Sequence, residues 1–145
     1  MNFKILFDKN QEEDLIIIAK EKNEAVEKIE EILINENSTL LGFNENYAEV
    51  LKISQIHAFI CENSKIYALT DKEKFKIKYR LYQLEEKLPR NFIKINQSNI
   101  ANINMIENFS ATLYGTLAVK FKNGYTDYVS RRNIKKVKER LGLKK

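Results

Sequence analysis

The chain has 145 residues, 43% of them apolar and 31% charged, with one proline and four glycines, so it reads as a folded globule of about one domain. Collagen and intrinsic disorder are excluded. Its longest strictly apolar run, residues 15–19, falls far short of the roughly 20 residues that cross a bilayer. The opening Met-Asn-Phe-Lys-Ile-Leu-Phe-Asp has too short an apolar core for a secretion signal. With Cys61 as the sole cysteine no internal disulfide can form, and a reducing cytoplasm is expected. Charge is segregated along the chain. Residues 1–89 hold 13 Lys/Arg against 17 Asp/Glu, whereas residues 90–145 hold 12 against 3 (Glu107, Asp127 and Glu139). A net +9 in the last third points to a polyanionic partner, nucleic acid or an anionic membrane.

Residues 3–7 and 14–20 read as two strands that pair with each other. From Asn23, a candidate N-cap, Val26, Ile29, Ile32 and Leu33 recur at helical spacing with glutamates on the other faces, and residues 35–39 close the helix. Strands are predicted over 39–43, 47–53, 56–61, 65–70 and 74–78, with a hairpin tip at Asn63, Ser64 and Lys65. Leu81, Leu84 and Leu88 mark a short helix within 79–88 that stops at Pro89. Strands follow at 92–95 and 100–103. Ser98, between them, is read as the cap of a single helical turn. The last strands are 105–109, 115–122 and 125–129, and Asn123-Gly124 predicts a type I′ hairpin turn. Ser130 caps a final helix over 131–141 that ends at Gly142. Ile134, Val137 and Leu141 share one side of that helix, leaving Arg132 and Lys136 outward near an N-terminus that itself attracts phosphate.

Catalytic chemistry finds little support. A structural zinc site needs about four Cys/His ligands, and the chain offers His57 and Cys61. No phosphate-binding G-x-x-x-x-G-K-[ST] loop or G-x-G-x-x-G turn occurs. The carboxylates lie mostly along the acidic helix and in turns, so neither an enzyme nor a cofactor is expected. The last helix lacks the aromatic residues of a membrane-surface helix, and direct membrane insertion is not expected.

The stretch Phe92-Ile93-Lys94-Ile95-Asn96-Gln97-Ser98-Asn99-Ile100-Ala101-Asn102-Ile103-Asn104-Met105-Ile106 resembles the LytTR DNA-binding motif, F-x-R-x-H-[basic or amide]-S-[aromatic]-[aliphatic]-[aliphatic]-N-x-x-x-I. Residues 124–141, with Ser130-Arg131-Arg132-Asn133, resemble the closing element of the same domain. The likeness spans about residues 40–143. It implies a mainly β (α+β) fold, an elongated LytTR-type stack of small antiparallel sheets with short helices, plus an N-terminal strand-strand-helix extension. The domains are then 1–38, an extension for regulation or dimerisation, and 39–145, a DNA-binding unit with no receiver domain.

The resemblance further implies a cytoplasmic transcriptional regulator that binds double-stranded DNA, with loops rather than a recognition helix entering the major groove. Members typically bind direct repeats as homodimers and bend the DNA. Some stand-alone members are encoded beside a small membrane protein that inhibits them, which makes such an inhibitor a further partner to expect. Mapped residue by residue, the contacts fall on Asn63, Ser64 and Lys65; on Asn96, Gln97 and Ser98; and on Arg132 with Arg131 beside it. Arginine can present a bidentate fork to guanine, and the amides of Gln97 and Asn63 suit adenine. Lys94, Ser98, Ser130, Lys65, Lys135 and Lys136 suit phosphate oxygens. Asn96 stands where histidine is common and Gln97 where Lys or Arg is common, which shifts weight toward amide readout. Two rival classes remain: an RNA-binding β module stacking bases on Tyr114, Tyr125 or Tyr128, and a regulatory protein-interaction module that uses no nucleic acid.

Overall fold

The computed structural model describes residues 2–142, with only the backbone of Asn35; the last three residues of the expected 39–145 unit lie outside the described residues. Helix α1 (Glu24–Asn37) starts where its cap predicts, the Val26 N–H donating to Asn23 Oδ1 at 3.0 Å. Strands β1 (Thr39–Phe43) and β2 (Ala48–Lys52) form a hairpin, closed where Asn44 Oδ1 accepts from the N–H groups of Asn46 and Tyr47, each at 2.8 Å. After a 3₁₀ turn, Ile53–Gln55, come β3 (Ala58–Glu62), β4 (Lys65–Leu69) and β5 (Lys74–Ile77). Helix α2 (Leu81–Lys87) follows, and Pro89 prevents its continuation. Strands β6 (Phe92–Asn96) and β7 (Asn99–Asn102) precede a 3₁₀ turn, Ile103–Met105. Strands β8 (Ile106–Ala111), β9 (Leu117–Phe121) and β10 (Thr126–Val129) lead into α3 (Arg131–Arg140).

Seven strands form one antiparallel sheet in the order β2-β1-β5-β4-β3-β7-β6, and β10-β9-β8 form a second. The alternation of side chains along each strand divides the core in two. On one face Phe59, Ile66, Ala68, Phe75, Phe92 and Ile100 pack around Leu84 of α2. On the other, Ala58, Ile60, Leu69, Ile93, Ile95 and Ala101 meet Val119, Phe121 and Val129 of the small sheet and Val137 of α3. The centre of the large sheet is thus covered on both sides, which is why β3 reads as a continuous apolar run rather than an alternating one. Gly42 is required by close packing: a Cβ there would lie 2.7 Å from both Leu51 Cδ1 and Phe75 Cβ. His57 is fully buried, with Nε2 2.7 Å from Asp71 Oδ1, a structural position rather than a ligand's.

Three local expectations are corrected. Residues 3–7 and 14–20 form no strand ladder, and Phe7 and Ile18 are 95% and 93% exposed; β propensity names no partner, and no strand pairs with these segments among the described residues. Ser98 caps no helix. It sits in the two-residue loop between β6 and β7, and the helical turn lies later, at Ile103–Met105, where Asn102 Oδ1 accepts from Asn104 N at 3.0 Å. At residues 121–125 only Gly124 has positive φ (+91°), and its N–H reaches Phe121 O at 2.9 Å. The hairpin therefore turns through Lys122-Asn123 with glycine in the left-handed position after them, instead of through a type I′ pair. Asn123 is then free to tie this hairpin to the large sheet, its Nδ2 donating to Thr70 O at 3.0 Å.

Candidate nucleic-acid interface

Three segments remote in sequence meet at one end of the large sheet. The tip between β3 and β4 and the tip between β6 and β7 are neighbours, since β3 and β7 pair with Ile60 opposite Asn99 and Cys61 N donates to Ser98 O at 2.9 Å. The start of α3 is fastened beside them by Ser130 N donating to Ile95 O, also at 2.9 Å. A polar lock completes the junction. Asp127 Oδ2 accepts from Asn99 Nδ2 at 2.7 Å, and its Oδ1 accepts from Asn96 Nδ2 at 3.1 Å and from Tyr128 N at 2.8 Å. Asn96 Nδ2 also donates to Tyr128 O at 2.8 Å, while its Oδ1 accepts from Ser98 N at 2.8 Å. Asn96 is buried and its side chain is spent on holding the loop, so Gln97 and Ser98 are the residues that this loop presents to solvent.

At the first tip Asn63 and Ser64 both adopt left-handed backbone, with φ of 51° and 64°, and Glu62 opposite Lys65 closes a two-residue loop. Glycine is the usual second residue of such a turn, and a serine held there is strained. Ser64→Gly is expected to stabilise the fold by up to about 1 kcal/mol, read as a small rise in Tm. Glu62, the acid nearest this tip, is covered by Lys74 at 2.7 Å, and that hydrogen bond pushes the Lys74 ammonium above its ordinary range, keeping it charged. Lys65 is exposed.

Helix α3 buries Val137 and half-buries Ile134 and Leu141, as its spacing predicts, so Arg132, Lys135 and Lys136 face outward. Arg131 and Arg132 differ in what they do. The Arg131 guanidinium donates from Nε and Nη2 to Tyr114 O, at 3.1 and 2.5 Å, fastening the loop between β8 and β9. Arg132 has no hydrogen bond or ion pair to any described residue. Ser130 Oγ accepts from Asn133 Nδ2 at 2.6 Å. Lys94 lies 3.9 Å from Glu85 and, with Lys136 and Arg140, lines a cavity of about 130 Å³ between α2, β6 and α3.

The β8–β9 loop is a neighbour that sequence reasoning did not place here. Its Leu113 and Tyr114 are 98% and 77% exposed, and it is brought beside the start of α3 by the β9–β10 register, with Leu117 opposite Val129, and by the tie to Arg131, seventeen residues away. Of the tyrosines suited to base stacking, Tyr125 packs inward against Phe121, ring centroids 5.9 Å apart, and burial, with the Asp127 carboxylate adding, pushes its phenol up. Among the described residues no cluster of His, Cys, Asp or Glu could hold a metal ion, and no helix is long and apolar enough to cross a membrane.

Residues 47–142 match the LytTr DNA-binding domain family. The chain belongs to the LytTR family. LytTR domains are DNA-binding modules of transcriptional regulators, not catalytic ones. Two relatives, both described as uncharacterized HTH-type transcriptional regulators, come from Staphylococcus aureus strains NCTC 8325 and bovine RF122 / ET3-1. They are 32% and 33% identical to this chain, each across 99% of both sequences. The LytTr DNA-binding domain of a methyl-accepting/DNA response regulator from Bacillus cereus superposes with a TM-score of 0.70 at 22% identity, covering 74% of this chain and 99% of that one. That likeness is one of fold. Among the described residues no two α-helices of this LytTR chain are consecutive, so its mixed α/β architecture presents sheet tips and one helix start rather than a helix pair.

Proposed function

We propose that this LytTR protein regulates transcription by inserting the β3–β4 tip, the β6–β7 tip and the start of α3 into the major groove of double-stranded DNA. The observation that carries the reading is the convergence of these three segments at one end of the sheet, two of them drawn from residues 90–145, where basic residues outnumber acids four to one. Arg132, exposed and unengaged among the described residues, is assigned to guanine O6 and N7; Gln97 and Asn63 are assigned to adenine edges. Ser64, Lys65, Lys94, Ser98, Ser130, Lys135 and Lys136 are assigned to phosphate oxygens, which set register without reading bases. Asn96 and Arg131 hold the neighbouring loops in place. Residues 39–145 form the DNA-binding unit and residues 1–38 an extension to it; two copies occupy a direct repeat. A small membrane protein that sequesters the regulator is the route by which its resemblance to stand-alone members would bring in a signal.

Selection from a random duplex library supplies the cognate site. On it Arg132→Ala should cost about 1–3 kcal/mol, with a much smaller loss on random duplex. Equal losses on both would reduce Arg132 to a phosphate contact, and failure of the selection to converge on any element would remove the proposal.

A further inference from the structure

We infer that residues 14–20 form an antiparallel ladder with the same residues of a second copy, about a two-fold axis through Ile17. The segment is Asp14-Leu15-Ile16-Ile17-Ile18-Ala19-Lys20, rich in β-branched residues, yet among the described residues its stretch 15–19 makes no backbone hydrogen bond. Leu15, Ile16, Ile17 and Ile18 are 58, 54, 45 and 93% exposed, so both of its alternating faces are open. An apolar strand with unpaired N–H and C=O groups is a template for another strand.

The sequence specifies which strand. Antiparallel pairing centred on Ile17 sets Asp14 opposite Lys20 at both ends, Leu15 opposite Ala19 and Ile16 opposite Ile18. Such a self-complementary set is what a two-fold interface requires. The next pair outward would be Glu13 against Glu21, whose repulsion ends the ladder at Asp14 and Lys20. A two-stranded ladder alone is marginal in water. Here Phe3, Leu6, Val26 and Ile29 line the same groove as the segment and supply it with an apolar floor. Residues 1–38 carry ten acids against five lysines, so this surface repels the polyanion that the sheet tips attract.

The inference rests on the reading that two copies act together on DNA; its two-fold axis relates only the residue 14–20 segments, whereas a direct repeat relates the DNA-binding units by translation, and the test separates the two. Sedimentation of the full chain without DNA should show a reversible dimer. Asp14→Lys and Lys20→Asp should each weaken self-association about tenfold or more, because each sets like charges opposite one another twice. An equimolar mixture of the two variants should restore the dimer, since every mixed pair is again of opposite sign. On a duplex carrying a single half-site both variants should bind as the parent does. Loss of DNA binding in the parent with self-association intact would leave the ladder standing and sink the DNA reading. A chain that stays monomeric, its arm paired internally or kept for a different protein, overturns the inference; so do variants that dimerise as the parent does and a mixture that remains monomeric.

Discussion

Raising the salt concentration from 50 to 200 mM is expected to weaken the complex with duplex DNA by a factor on the order of 10²–10³. The reasoning starts from counterions. Each phosphate neutralised by a lysine or arginine releases most of one condensed cation, so the logarithm of affinity falls with the logarithm of salt at a slope of about −0.9 per contact. Lys65, Arg132, Lys135 and Lys136 stand at the converging tips or along the exposed side of α3, and Lys94 lies within β6 beside Glu85. If about five phosphates are engaged per copy, the fourfold change in salt gives that loss. Lys136→Ala should lower the slope by about one and weaken cognate and random duplex alike. A titration of binding against salt checks both statements. An affinity indifferent to salt would mean that the basic last third is not the gripping surface.

Asp127→Ala is expected to destabilise the fold by about 2–4 kcal/mol, since it removes the acceptor of two buried amides at once. Asn96 and Asn99 are buried, and each directs its Nδ2 to a different oxygen of this carboxylate. For a chain of this size the loss corresponds to a fall in Tm of roughly 5–15 °C. Asp127→Asn, which keeps one acceptor oxygen, should lose about half as much. Far below the transition, DNA binding of the alanine variant should also weaken, because the Gln97-Ser98 loop and the start of α3 share this lock. Thermal melts with binding measured at low temperature separate the two effects; an unchanged Tm would show that the lock contributes nothing.

How much of this the sequence carried depends on whether the deciding interaction is local. Helix α1, with its Asn23 cap, and the bounds of the final helix between Ser130 and Gly142 were legible from local signals, although Ser130, at the N-cap position, makes no side-chain cap bond and its Oγ accepts from Asn133 Nδ2 instead. So was the Asn63-Ser64 tip, bounded by strands of clear alternation. The arm misled because an apolar alternating run states a preference for pairing and says nothing of the partner. Asn102, in the same motif as Asn96, satisfies a buried backbone group, its Nδ2 donating to Ile56 O at 2.9 Å. Asn96 was mapped as a DNA contact by its place in the motif, which carries no sign of its partner Asp127, 31 residues away. Arg131 and Arg132 are adjacent and chemically identical. A helix turns about 100° between neighbours, and only the path of the distant β8–β9 loop decides which of the two is tied down.

The large sheet, packed on both faces and tied to the small one through Asn123 and Thr70, leaves its tips little room to adjust. If the tips enter the major groove as proposed, the compliance in that encounter comes from the nucleic acid. Bending a site of 20–30 base pairs by 40–90° costs about 1–6 kcal/mol, and TA and CA/TG steps flex most easily. Between the bases it touches, a stiff protein of this kind would discriminate by mechanics, favouring promoters whose spacer segments contain such pliant steps.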